Sequence, residues 1–461
     1  MDIASDHPRN TWDFFWQTLS LEDMDSNFFR SLWYFHAQPP LFNGYGFILY
    51  KLFGPAQLAA MQYVQIFLGA ATSAMVYIIL QNLIVRKTAA VLCALLISLN
   101  PSLFLYEAFI LYSLPVAFLT TLAVCLLSIH NHSGRMRYLI LFIVSLNILV
   151  LTRSLFHIVL LLPCIIMGAM QQGRTWRKFL LYACLISTIS LGWYLKNYAE
   201  FGFFGASSWM GSNLWRNVSQ NYDRSELEAF HQAGLIDDAV LHKRFFSPPK
   251  SYADFGFNES SGIKVLDSDD YNNINMIAIS QMYLRSSKAL IRHDPAHYAQ
   301  NCLEAYGKFC SPSFETGFVA RNASLIPWHT RAWRWLQGSM LFNNRKGWLT
   351  SFYSLLIPIC VLHFIVHFLV ASRLSPRRVA SFVRGHGVET LIALLITYVT
   401  TVSSLFEYGE NCRFKFSIES LILIYFCAIL VPGLYRLTVG NWLRLGGRRR
   451  KSFRLNGEIP R

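Results

Sequence analysis

Apolar runs of about the 20 residues needed to cross a bilayer recur from Leu58 to Leu434, and the short gaps between them alternate between ones with a basic cluster and ones without. A bundle of helices threaded back and forth through a membrane satisfies that pattern, because lipid offers no partner to backbone groups left outside a helix or a closed barrel. The basic gaps are Arg86-Lys87, Arg135 to Arg137, Arg174 to Lys178 and Arg373 to Arg384. Counting spans in turn puts all of them on one face, the cytoplasmic one, where loops collect Lys and Arg. With 53% hydrophobic and 15% charged residues, the chain is too apolar for a soluble domain. Its net charge of +15 lies in those gaps and in the tail around Arg448 to Lys451. The excess therefore reads as topology, and nucleic acid is not an expected partner.

Taken in order, the sequence predicts an all-α polytopic membrane protein with about nine spans. The predicted regions are an outer first loop with interfacial helices (1–54), an N-terminal transmembrane module (55–195), an extracytoplasmic soluble region (196–348), a C-terminal transmembrane module (349–437) and a basic cytoplasmic tail (438–461). The run from Thr88 to Ile129 is broken at Asn100-Pro101 and turns outside between Tyr106 and Tyr112. The run from Tyr138 to Met170 is interrupted by Thr152-Arg153, where two short spans meet on the outer side. In the soluble region, Ser225 to Gln232 and Asp270 to Gly307 have helical character, the latter broken at Asp294-Pro295, and Trp328 to Phe342 has the Trp and Arg interleaving of an interfacial helix. Export of residues 1–54 without an apolar run before them implies a further span upstream of Met1. Most cysteines fall inside apolar runs and behave as small hydrophobes.

Polar and backbone-breaking residues crowd into His36-Ala37-Gln38-Pro39-Pro40-Leu41-Phe42-Asn43, just ahead of the first full span. Adjacent prolines forbid a continuous helix, so His36 and Gln38 project from an ordered corner; a simple helix start at Leu41 is the plainer alternative. Other outer-side features are Asn100 to Pro115, Thr152-Arg153, Trp193 to Tyr198 running into Gly202, and Glu410-Asn411-Cys412-Arg413-Phe414. In this order, the set resembles the GT-C glycosyltransferases of family 39, which include protein O-mannosyltransferases and lipid A aminoarabinose transferases. His36 to Leu41 is similar to the His-Pro-Pro-Leu of that family's first outer loop.

The resemblance implies a GT-C fold and an enzyme of the inner or plasma membrane. It would transfer a sugar from a polyprenyl-phosphate donor to a glycan, lipid or protein acceptor on the extracytoplasmic side, and a divalent cation is compatible with it. The family carries a catalytic acid in the first outer loop, which selects Asp13, with Asp25 and Asp6 as rivals; each could instead cap a helix or lie in solvent. Glu107, a lone carboxylate between apolar residues, is either a second catalytic acid or a partner of Arg153. Arg153, Lys196 and Arg413 stand where a phosphate head group would rest, with His36, Gln38 and Asn197 organising the pocket. For Lys196 alone, snorkelling to lipid is the simpler account. A transporter or flippase of lipid-linked sugars and a non-catalytic scaffold are the competing classes; no internal repeat marks a transporter.

Three further features read as structural. His363 and His367 share a helix face without a carboxylate or third ligand in sequence reach, so no metal is expected there. Asp267 to Asp270 sits where a helix cap belongs. The sequons at Asn217, Asn258 and Asn322 are of the kind that chance supplies.

Overall fold

The computed structural model describes residues 12, 17–84, 86–244, 247–317, 319–342 and 347–432; Asp13, Asp6 and the tail 438–461 lie outside them. All regular elements among the described residues are helical. Helices α1 (Leu21–Tyr34) and α2 (Leu41–Phe53) flank the Pro-Pro corner, and α3 (Gln57–Leu83) continues after one 3-10 turn, Gly54–Ala56. Next, α4 (Lys87–Ser98) and α5 (Pro101–Glu107) meet in a 52° bend. Asn100 makes that bend local: its side chain accepts from the Ser102 amide at 2.9 Å while Pro101 takes the first helical position, an N-cap arrangement. Helices α6 (Ser113–Ser133), α7 (Met136–Thr152), α8 (Leu161–Gln171) and α9 (Trp176–Phe201) follow.

The polar region contains α10 (Met210–Val218), α11 (Arg224–Gln232), α12 (Asp238–His242), α13 (Lys264–Asp267), α14 (Asn275–His293), α15 (Pro295–Cys310), α16 (Ala320–Ala323) and α17 (Pro327–Leu336). Asp294, the N-cap residue of α15, accepts from the His297 amide at 2.9 Å, producing the expected break before Pro295. Cys302 and Cys310, eight residues apart on α15, are both free thiols. The second membrane module is α18 (Tyr353–Ser372), α19 (Pro376–Gly385), α20 (Gly387–Phe406) and α21 (Asn411–Tyr425), the last extended by a π-helical turn, Phe426–Leu430.

Five described helical stretches are long and apolar enough to cross a membrane, or six with α4 and α5 taken as one bent span. The sequence expectation of about nine also counted α7 and α8, which are shorter apolar helices, and α21, whose first turns carry Arg413, Lys415 and Glu419. Large apolar side chains on α3 (Tyr63, Phe67), α9 (Leu185, Ile189) and α18 (Leu362, Val370) are exposed, as on helices that face lipid. The plainer reading of Pro39-Pro40 also holds in part, since α2 does begin at Leu41.

Basic gaps gather at one end of the bundle. Arg384 Nε donates to the Met170 carbonyl at 2.9 Å, and Asn82, Arg86, Asn131, His132, Arg384 and His386 line a common cavity there. The opposite end is covered by the polar region. Asn217 Nδ2 donates to the Ser404 and Leu405 carbonyls at 2.9 and 3.0 Å, and the Tyr298 hydroxyl to Leu405 at 2.9 Å. Asn217 is fully buried, so its sequon is closed to a glycan. Helix α10 lies tight on α14 because Gly211 faces the Ser280 carbonyl, where a Cβ would collide.

Candidate functional site

The corner before α2 is held by residues distant in sequence. His36 donates its backbone amide to Asn272 Oδ1 at 2.9 Å and places Nδ1 2.9 Å from the Ser208 hydroxyl. The Ser208 amide returns a bond to the His36 carbonyl at 3.0 Å, and Ser207 Oγ donates to Ala37 at 2.6 Å. Lys196, on the last turns of α9, donates to the Phe35 carbonyl at 3.1 Å and lies 3.7 Å from the centroid of the Trp193 ring. Asn197 Nδ2 donates to Gly205 at 2.6 Å and so shapes the loop that carries Ser207 and Ser208. Asn272 is itself set by the Asp270 carboxylate, which accepts from the Asn272 amide at 2.7 Å and the Ser268 hydroxyl at 2.7 Å. Asp267 accepts from the Ser261 amide and hydroxyl. The acidic run is therefore local loop chemistry and not the helix cap expected from the sequence, since α14 starts at Asn275 behind Ile274 with no side-chain cap, and its product is the anchor for His36.

His36 is completely buried, and burial followed by the neighbouring Lys196 charge pushes its imidazole down to about 3. The ring is thus neutral at physiological pH and positions the corner without carrying charge. A group whose folded pKa is depressed stabilises the fold fully above its unfolded value near 6.5, and that contribution is lost as pH falls toward the folded value. Thermal stability in detergent is therefore expected to fall as pH drops below 6.5, with a shallower fall in His36→Gln. Equal slopes in both chains, followed by circular dichroism, would refute this.

The break between α7 and α8 carries the charged centre. Thr152-Arg153 ends α7, and Gln38 of the corner accepts from the Ser154 hydroxyl at 3.1 Å. The Tyr398 hydroxyl accepts the His157 amide at 2.8 Å and donates to the Leu155 carbonyl at 2.9 Å; the Tyr194 hydroxyl accepts the Ile158 amide at 3.1 Å. Held in this way, Arg153 is buried with its guanidinium 4.2 Å from the Phe414 ring centroid and 4.8 Å from that of Tyr112. Among the described residues no carboxylate is within ion-pair distance of it, and Nη1 has no hydrogen-bond partner. The faces of two aromatic rings stabilise a cation but leave its donors unspent.

Arg413 stands beside this group, on the first turn of α21. It pairs with Glu410 at 3.1 Å and donates to the Tyr112 hydroxyl at 3.3 Å. Asn411 fixes the turn by donating to the Ser403 and Glu407 carbonyls at 3.0 and 2.9 Å. Glu407 pairs with Arg216 of α10 at 2.9 Å. Burial drives the Glu407 carboxyl up to about 7, against the opposing pull of Arg216. Among the described residues, both acids of this centre are thus already opposite an arginine, and Arg153 is the surplus cation. Phe42 packs edge-on against Tyr112 with ring centroids 5.5 Å apart, joining the corner to the centre, and Trp12 stacks on Phe42 at 5.6 Å. Chemically, the arrangement can take a phosphate, whose oxygens match the planar donors of arginine.

The sequence-selected residues therefore divide. Arg153 and Arg413 share Tyr112; His36, Lys196 and Asn197 build the corner, and Gln38 ties the two parts together. Lys196 is buried against Trp193 rather than reaching toward lipid. Glu107 packs against Gly69 of α3, with no ion pair to Arg153 among the described residues. Asp13 lies outside the described residues. Sequence reasoning missed Arg216 and Glu407, paired across 191 positions with no local signal. It also expected His367 to lack a carboxylate and a third ligand. Instead, Glu389 and His386 stand against it, with His367 Nδ1 and His386 Nδ1 3.0 and 3.1 Å from the two carboxylate oxygens.

Comparison with known proteins adds three findings. No curated protein matches the chain. Among solved structures, it is similar to the archaeal oligosaccharyltransferase AglB from Archaeoglobus fulgidus in complex with an inhibitory peptide and a dolichol-phosphate, at 15% identity and a TM-score of 0.35. The match takes in 92% of this chain and 44% of that one, so the chain spans less than half of AglB. The family model of the dolichyl-phosphate-mannose-protein mannosyltransferases matches residues 28–204. The part of the chain that resembles those mannosyltransferases thus contains the Pro-Pro corner, Arg153 and α9.

Proposed function

We propose that this chain is a membrane glycosyltransferase of the GT-C class that moves a sugar from a polyprenyl-phosphate carrier to an acceptor at the extracytoplasmic face. The observation that carries the reading is the buried guanidinium of Arg153 beside Arg413, with no carboxylate against it among the described residues. A base removes the proton from an acceptor hydroxyl, and the oxygen attacks the anomeric carbon. The bond from that carbon to the phosphate oxygen breaks, its electron pair leaves with the polyprenyl phosphate, and the two arginines hold the anion formed. A single displacement of this kind inverts the anomeric centre.

Asp13 is the proposed base, one residue from Trp12 in the sequence. Glu107 is proposed to order the pocket wall near Gly69, and the polar region 196–348 to select the acceptor. Glu407 and Glu410 are each engaged by an arginine, so a divalent cation at the donor phosphate would draw its ligands from other acids.

The purified chain, supplied with polyprenyl-phosphate sugars and hydroxyl acceptors, should release polyprenyl phosphate detectable by mass spectrometry. Asp13→Asn should lower that rate by about 100- to 10,000-fold, the scale of general-base catalysis. Full activity in Asp13→Asn removes the assigned base. No release with any donor in the screen removes the enzyme reading and favours a scaffold.

A further inference from the structure

At the basic end of the bundle, on the far side from Arg153, we propose a zinc site formed by His367, His386 and Glu389, independent of the glycosyltransferase reading. The three residues come from separate segments: His367 from the last turns of α18, His386 from the joint between α19 and α20, and Glu389 from the first turn of α20. One ligand atom from each lies within 4.8 Å of the others. Each imidazole turns Nδ1 toward a different oxygen of the same carboxylate, at 3.0 and 3.1 Å. Atoms bound to one zinc at about 2.0–2.2 Å stand roughly 3.3 Å apart, so the nitrogen-to-oxygen spacings already approach those of a shared ion.

The surroundings favour a metal over a simple helix-end carboxylate. Glu389 is buried at 6% exposure and has no Lys or Arg partner among the described residues. Phe382 holds both rings, stacking on His386 at 4.6 Å and meeting His367 edge-on at 5.1 Å. Arg384, the nearby cation, directs Nε to the Met170 carbonyl. His363, one turn before His367, is taken by the Tyr425 hydroxyl at 2.9 Å and is not counted as a ligand. All three ligands line a cavity of about 1260 Å³ together with Arg86 and His132. Two histidines and one glutamate with open space beside them match the donor set of zinc sites that keep a fourth position free. The ion would pin α18 to the α19–α20 joint, closing this end of the bundle.

The test uses the full chain in detergent, stripped with chelator, exposed to zinc chloride and passed through a desalting column. Elemental analysis is expected to find one zinc per chain, a content retained in His132→Ala and lost in Glu389→Gln and in the His367→Ala/His386→Ala pair. Cobalt chloride added to the unaltered chain should give the visible bands of a four-coordinate nitrogen and oxygen site, a readout that needs no variant to fold. Zinc content that is zero in the unaltered chain, or equal in the ligand variants, would overturn the site. So would cobalt that keeps the spectrum of the aqueous ion.

Discussion

Replacing Arg153 with alanine is expected to slow polyprenyl phosphate release by roughly 100- to 1,000-fold, the scale for removing one preorganised stabiliser of developing charge. The loss should appear in kcat, because the leaving phosphate carries more charge in the transition state than in the bound donor. The fold should survive. Arg153 rests on Tyr112 and Phe414 and, among the described residues, has no carboxylate partner to strand, so its removal forfeits ring attraction of about 2 kcal/mol or somewhat more and leaves no described acid unpaired. Arg153→Lys should fall between, keeping a charge but losing the planar pair of donors. Arg413→Ala is a poorer probe, since it leaves Glu410 unpaired in the same centre. An unchanged rate in Arg153→Ala, measured on protein with native thermal stability, would detach this residue from the chemistry.

The second large effect is on stability. Lys415 and Glu419 of α21 form an ion pair at 3.6 Å with side-chain exposures of 0% and 2%. Gln337 donates to Glu419 at 3.2 Å, and Lys415 donates to the Cys310 carbonyl at 3.4 Å while standing 4.0 Å from the Tyr353 ring centroid. Lys415→Met leaves a buried acid without its cation, and should cost about 3–5 kcal/mol. The double replacement Lys415→Met/Glu419→Leu should recover most of that, because a buried pair often contributes little beyond a well-packed apolar substitute. Thermal unfolding in detergent distinguishes the two outcomes: a double variant as unstable as the single one would show that the pair itself supplies the stability.

Much of the architecture is legible from hydropathy and a few breakers. The breaks at Asn100-Pro101 and Asp294-Pro295 arise from side chains adjacent to the prolines, so local sequence contains the whole cause. Arg153 could be singled out because a lone cation between two apolar runs has few benign explanations. Its neighbours could not: Tyr112 looks like any interfacial aromatic, and Phe414 like any apolar residue of a span. Arg216 is one of many basic residues in a polar stretch, and only the docking of α10 on the end of α20 makes it the partner of Glu407. His367 shows the same limitation in another form. Its carboxylate lies 22 positions away across α19, outside the single helix face that His363 and His367 share. Short-range signals thus reveal where the backbone bends, while partnerships between side chains wait for the helices to meet.

Tyr398 shows what such a meeting can do. Its hydroxyl receives the His157 amide and gives its own hydrogen to the Leu155 carbonyl, two groups left without a helix at the gap between α7 and α8. One oxygen from α20 therefore stands in for a missing peptide, splicing two short helices into a single jointed rod whose pin belongs to a third. Any rotation or sliding of α20 would move that joint, and Arg153 sits two residues from the spliced carbonyl. The lever that aims the Arg153 guanidinium is thereby placed in the C-terminal module, more than two hundred positions along the chain from the residue it steers.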